Sequence, residues 1–252
     1  MANSNNESGH ANNVANIKTM VSKCVGLGNS YQPSNPNLSI AFLQGYTASA
    51  SDALKDVQVK KTAFDNALND RNVLYAKVRP LSTRVINALK SLGLRVETVK
   101  NATTVNRKIQ GQRATPVPTL AKSLGAAVAN ENQTIPKTIS ASQQGIDQVI
   151  SNFSQLIEIA RAEPTYAPNE TDLTIASLDA LYNELHTKNQ LVNQAETELN
   201  KARIARNKLL YNNDVNIVSL AQGIKNYLKS AFGPNSPEYK MVGSIKIVSL
   251  AR

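Results

Sequence analysis

The sequence predicts an all-α protein, an elongated helical bundle made of two tandem three-helix units with long heptad-patterned central helices. Three observations carry this: an ordered internal repeat, a seven-residue apolar period held for more than four heptads, and a composition poor in sheet-forming residues.

The repeat comes first. Displacing the sequence by 135 positions overlays its halves without a gap over roughly sixty residues. Tyr31 falls on Tyr166, Pro33 on Pro168, Leu38 on Leu173, Ile40 on Ile175 and Leu43 on Leu178. Further along, Val57 meets Val192, Ala67 meets Ala202, and Arg71-Asn72 meets Arg206-Asn207, with Leu74 on Leu209. Upstream, Val14 and Val21 meet Val149 and Leu156. The copies run from about Ser8 to Arg113 and from about Thr138 to Arg252. The implied division is a flexible N-terminus (1–10), a first helical repeat (11–111), a linker (112–137) and a second repeat (138–252).

Within each copy the elements follow in order. A first helix carries Val14, Ile17, Val21 and Cys24, or Val149, Phe153, Leu156 and Ile159. Each ends in a proline-bearing loop, Tyr31 to Pro36 and Glu163 to Pro168, because proline disfavours helical geometry just before itself. The central helix follows. Leu43, Tyr46, Ala50, Ala53, Val57, Lys60, Phe64, Ala67, Arg71 and Leu74 step alternately by three and four, as do the matching residues from Leu178 to Leu209. About forty residues at 1.5 Å rise make a helix of roughly 60 Å, which predicts an elongated molecule. A reversal is expected at Arg79-Pro80 and at Asn212-Asn213-Asp214. Third helices then carry Leu81, Val85 and Leu89, or Ile217, Leu220 and Ile224, and end near Gly93 and Gly233. A terminal helical piece follows in each copy, through Val96 to Ile109 and after Ser236-Pro237. Between the copies, Pro116, Pro118 and Pro136 mark a surface linker with one helical turn at Leu120 to Val128.

Composition bounds the chemistry. The chain has 252 residues, a formal charge of +10, no Trp, four Phe and one cysteine. Cys24 can form neither an intramolecular disulfide nor a thiolate zinc site, and its place on an apolar stripe reads as a small buried thiol. The N-terminus has no charged and apolar succession of a signal peptide, and no run reaches the ~20 apolar residues of a membrane span. A cytoplasmic protein without a membrane span is the expectation.

The segments Glu7 to Ala11, Asn106 to Gly111 and Phe232 to Tyr239 resemble a family of bacterial all-helical proteins with an internal duplication. The resemblance covers nearly the whole chain. It implies the helical fold and carries no catalytic or binding residues with it.

No constellation reaches a catalytic or cofactor site. The ferritin-like set of paired glutamates with Glu-x-x-His is missing, and Glu184-Leu185-His186 has the wrong spacing. There is no glycine-rich phosphate loop or nucleophile elbow. The basic stretch from Lys77 is the strongest candidate: Arg79, Arg84, Lys90, Arg95, Lys100, Arg107, Lys108 and Arg113 stand against the single acid Glu97. A basic helical face suits phosphate neutralisation, although it carries no aromatics for base stacking and no nucleic-acid motif. Its bland reading is a solvated face. Arg71 and Arg206 interrupt the two heptad seams at equivalent places. They read as paired anion sites or as arginines that fix register by tying a helix to a carboxylate, and the structural reading is preferred. Lys60 and Lys188 also interrupt the seams, with stems laid along apolar surface.

The expected function is therefore that of a non-enzymatic structural or interaction protein, a duplicated helical scaffold that needs no cofactor or metal. A protein partner or self-association is expected, without a small-molecule substrate. Nucleic-acid binding through the basic stretch is the alternative.

Overall fold

The computed structural model describes residues 5–112 and 145–250, and these are all-α, with no strand among the described residues. The helices are α1 (Asn5–Gly26), α2 (Ile40–Ser91), α3 (Val96–Gln110), α4 (Ile146–Arg161), α5 (Ile175–Asn207), α6 (Ile217–Phe232) and α7 (Pro237–Gly243). The expected turn at Leu120 to Val128, most of the linker, and Arg113 lie outside the described residues.

The two proline-bearing loops share their hydrogen bonding. The Tyr31 hydroxyl donates to the Leu38 carbonyl at 3.0 Å, and Tyr166, its counterpart, donates to Leu173 at 2.9 Å. Each bond closes a loop that ends in a single 3-10 turn, Pro36–Leu38 or Thr171–Leu173. The long helices then start on a hydroxyl: Ser39 faces the Phe42 N–H at 3.4 Å, and Thr174 faces the Ser177 N–H at 3.3 Å. Such oxygens satisfy donors that the first helical turn leaves without partners.

Two expectations are corrected. Glu7 and His10, placed in a flexible end, belong to α1 and are tied to distant residues described below. The reversal at Arg79-Pro80 does not occur: Pro80 lies inside α2, which runs 52 residues without interruption. An internal proline loses one helical hydrogen bond and costs about 3 kcal/mol. Here the turn is tied from outside, because the Gln110 amide nitrogen sits 2.8 Å from the Arg79 carbonyl and 3.1 Å from the Ser82 hydroxyl. The supposed third helix of the first copy is thus the end of α2. The chain turns at Gly93, whose φ of 63° favours glycine, and what looked like a terminal piece is the full helix α3. In the second copy, α5 gives way to a π-helical turn, Lys208–Asn212, before α6 is capped by Asn216.

The uninterrupted α2 governs the packing. Fifty-two residues occupy about 78 Å of helix axis, while the 22 of α1 offer about 33 Å. The first helix therefore covers only the first part of its own long helix. The chain divides into two compact units, Met1–Asp65 with Gln194–Arg252, and Asn66–Asn193, and neither coincides with a sequence copy. In the first unit, Val14 to Ala50 of copy one form one core with Leu210 to Val242 of copy two, and α1 packs on α6. In the second, Leu74 to Ile109 of copy one join Val149 to Leu185 of copy two, and α3 packs on α4. Each core is half one copy and half the other.

Interrupting lysines bind these halves. Lys188 of α5 contacts Asp70 of α2 at 2.8 Å in the second unit, and Lys60 lies 3.8 Å from Glu198 in the first. The C-terminal segment is also part of the first unit. Asn13 clasps the Val248 backbone, donating to its carbonyl at 2.7 Å and accepting from its N–H at 3.3 Å. Asn16 donates to Lys246 at 2.8 Å, and Leu250 sits where a Cβ on Gly9 would stand 2.7 Å away.

Candidate functional site

The basic stretch resolves into groups with different fates. Arg84 is held by Asp172 in a two-point ion pair, with Nη2 to Oδ1 at 3.1 Å. The guanidinium holds the Asp172 carboxyl below the usual carboxylate range. Arg84 also borders a second cleft of about 400 Å³, with Asn87, Tyr166 and Glu170. Arg79, Arg95 and Lys108 are exposed and are not among the residues that line the groove formed by the remaining three. Lys108 falls about 100° round the helix from Arg107.

Lys90, Lys100 and Arg107 converge. With Leu94, Val96, Val99, Thr103 and Thr104 they line a groove of about 470 Å³ between the end of α2 and the outer face of α3. The local sequence explains the arrangement. Ala102, Val105 and Ile109 are buried on one face of α3, so Val96, Lys100, Thr103 and Arg107, at spacings of three and four, form the opposite stripe. None of the three cations makes an ion pair with a described residue. The two threonine hydroxyls are turned back on their own helix, Thr103 to the Val99 carbonyl at 2.7 Å and Thr104 to Lys100 at 2.9 Å. The side-chain donors left to the groove are cationic. The bland account of Lys90 and Arg107 is that each sits in a last helical turn, where a cation offsets the helix dipole; Lys100 sits mid-helix and has no such role.

The seam arginines have equivalent attachments that differ in detail. Arg206, 3% exposed, bonds Glu7 in the first turn of α1 through Nη1, and Asn207 through Nε and Nη2 at 3.1 and 3.0 Å. Arg71 donates to Asn189 at 3.1 Å, and the Asn189 amide donates to Asp147, in the first turn of α4, at 2.6 Å. In both units a seam arginine is joined to an acid in the first turn of another helix.

A buried cluster next to Arg206 has no signal in the sequence, since its members stand about two hundred residues apart. The Asn13 amide donates to the Tyr211 hydroxyl at 3.0 Å, and His10 Nδ1 lies 2.8 Å from the same oxygen. Tyr211 accepts from Asn13, and which of Tyr211 and His10 Nδ1 donates across the 2.8 Å contact follows the imidazole tautomer. Burial, then the Arg206 charge, push the His10 pKa below its ordinary value against an opposing pull from Glu7. None of His10, Asn13 and Tyr211 lines either of the two clefts described above. Burial pushes the Cys24 thiol up to about 11, so little nucleophilic thiolate is present at neutral pH.

Among the described residues no three metal-ligating side chains come together, and no helix is long and apolar enough to cross a membrane. No family model, curated protein or solved structure matches the chain.

Proposed function

We propose that this is a non-enzymatic interaction protein whose working face is the groove between the end of α2 and the outer face of α3. One observation carries the reading: Lys90, Lys100 and Arg107 surround an open groove without acidic partners among the described residues, while Arg84, Arg161, Lys188 and Arg206 are each paired. Unneutralised like charges round a concave, partly apolar surface repel one another, and a bound partner of opposite charge relieves that repulsion. The buried polar groups elsewhere hold helices together and serve as scaffold.

The test compares two triple charge reversals. K90E/K100E/R107E removes the groove cations, and K18E/K55E/K229E changes net charge equally at exposed sites elsewhere. Material retained by the immobilised wild-type chain is expected to be lost on the first variant and kept on the second. Equal retention on both would remove the groove as the working face. Nucleic-acid binding is the second reading, favoured by the formal +10 charge, and a nuclease-treated arm separates it.

A further inference from the structure

We propose that the groove takes an acidic amphipathic helix presented by a partner protein. This rests on the reading of the groove as the working face and adds the chemistry of its occupant. The lining has two parts: Leu94, Val96 and Val99 are apolar, with Val96 60% exposed, while Lys90, Lys100 and Arg107 supply positive charge. Nucleic-acid binders that read sequence or hold single strands pair their cations with amide side chains or aromatic stacking platforms. This groove has neither, and its threonine hydroxyls already donate to their own backbone. A phosphate chain would lie on valine and leucine surface and gain nothing from it. A helix with leucines on one side and glutamates beside them matches both parts, its apolar side chains covering Leu94, Val96 and Val99 while its carboxylates meet the three cations.

Length agrees with this. From Val96 to Arg107 the stripe covers eleven residue steps, about 16 Å, which accommodates about three turns of a second helix. The composition of the chain's own connecting segment does not match an acidic occupant. Residues 113–144 carry Arg113, Lys122 and Lys137 against the single acid Glu131. The proposed occupant is therefore an acidic segment of another protein.

The probe is a labelled 14-residue peptide of glutamate and leucine with leucines at helical spacing, titrated into the full chain by fluorescence anisotropy at low and physiological salt. The comparison ligands are a scrambled peptide of identical composition and single- and double-stranded oligonucleotides. The expected result is a dissociation constant in the micromolar class, weakened at least about fivefold by scrambling. K100E/R107E is expected to weaken binding by about thirtyfold or more, and V96S/V99S by about fivefold. Both variants alter exposed or half-exposed positions and are checked for retained helicity. If the oligonucleotides bind more tightly than the peptide and K100E/R107E abolishes that binding, the groove remains the working face and the acidic-helix inference is overturned. Equal affinity for ordered and scrambled peptides overturns it too. Binding that survives K100E/R107E, or none from any probe, overturns both the inference and the reading beneath it.

Discussion

Separating the two copies should leave two fragments that cannot fold alone as monomers and that assemble when mixed. The perturbation is to produce residues 1–112 and 145–252 as separate polypeptides. Among the described buried residues, the first core draws ten apolar side chains from copy one and eight from copy two, and the second core draws eight and ten. An isolated copy therefore lacks at least eight members of each core. At about 1.5–3 kcal/mol per buried side chain, each unit loses roughly 12–24 kcal/mol of gross apolar stabilisation. That exceeds the ~5–15 kcal/mol net stability of a typical domain. Mixing restores both cores against an association cost of about 4–15 kcal/mol, so a one-to-one complex with a dissociation constant of nanomolar order or below is expected. Light scattering after size exclusion gives the stoichiometry, and circular dichroism gives helicity before and after mixing. Alone, each fragment should be unfolded or paired with itself. Two fragments that are folded monomers with cooperative melts and no mutual affinity would refute the crossed assembly of the cores.

Three further predictions concern buried polar groups. Glu7→Gln leaves the Arg206 guanidinium, 3% exposed, without its carboxylate. Removing one partner of a buried pair costs about 3–5 kcal/mol, and the partial exposure of Glu7 lowers the expectation to about 2 kcal/mol, measured by urea unfolding with hydrogen exchange following α1; a loss below about 0.5 kcal/mol would show the pair to be incidental. Asn152 is 3% exposed with its amide nitrogen lacking a hydrogen-bond partner, and its repeat counterpart Ile17 is fully buried. Asn152→Val should stabilise by about 1 kcal/mol and raise Tm by about 2–4 °C, because it removes an unsatisfied polar group; a lower Tm contradicts that account. His10 is neutral when folded, with a pKa below its ordinary value, so the unfolded chain takes up the proton first. The His10 contribution to stability should be fully present above about pH 6.5 and be lost as pH drops below it toward the folded pKa. A His10→Gln chain that keeps the same slope through that window would assign the loss elsewhere.

Much of the local structure was legible in the residues. The prolines after Tyr31 and Tyr166, the glycine ends at Gly93 and Gly233, and the Ser236 cap each act within a few residues, and pattern reads such signals directly. Pairing was not legible, for a physical reason. When two copies share Leu43 and Leu178, or Val14 and Val149, a helix finds equally apolar faces on its own copy and on the other, and periodicity cannot choose between them. What decides is whether the chain turns back at Pro80. It does not, and Gln110, thirty-one residues away from Arg79, bonds to the proline-bearing turn from outside it. The candidate site was legible in part. The cations of the basic stretch stand in the sequence, but Arg84 is withdrawn from them by Asp172, 88 residues distant, and Val96 and Val99 join them only because Ala102, Val105 and Ile109 turn the opposite face of α3 inward. The cluster of His10, Asn13 and Tyr211 is assembled entirely by tertiary packing.

The clasp of Asn13 on Val248, with Leu250 against Gly9, has a mechanical consequence. The first and last described segments of the chain meet in one unit, and the other unit is spliced into the middle of the polypeptide as residues Asn66–Asn193. A force applied between the two ends loads the clasp first, and peels the tail from α1 before it reaches the spliced unit. Stretching a single molecule should thus give an ordered pair of ruptures. The unit that bears the basic groove is shielded from tension until its neighbour has opened.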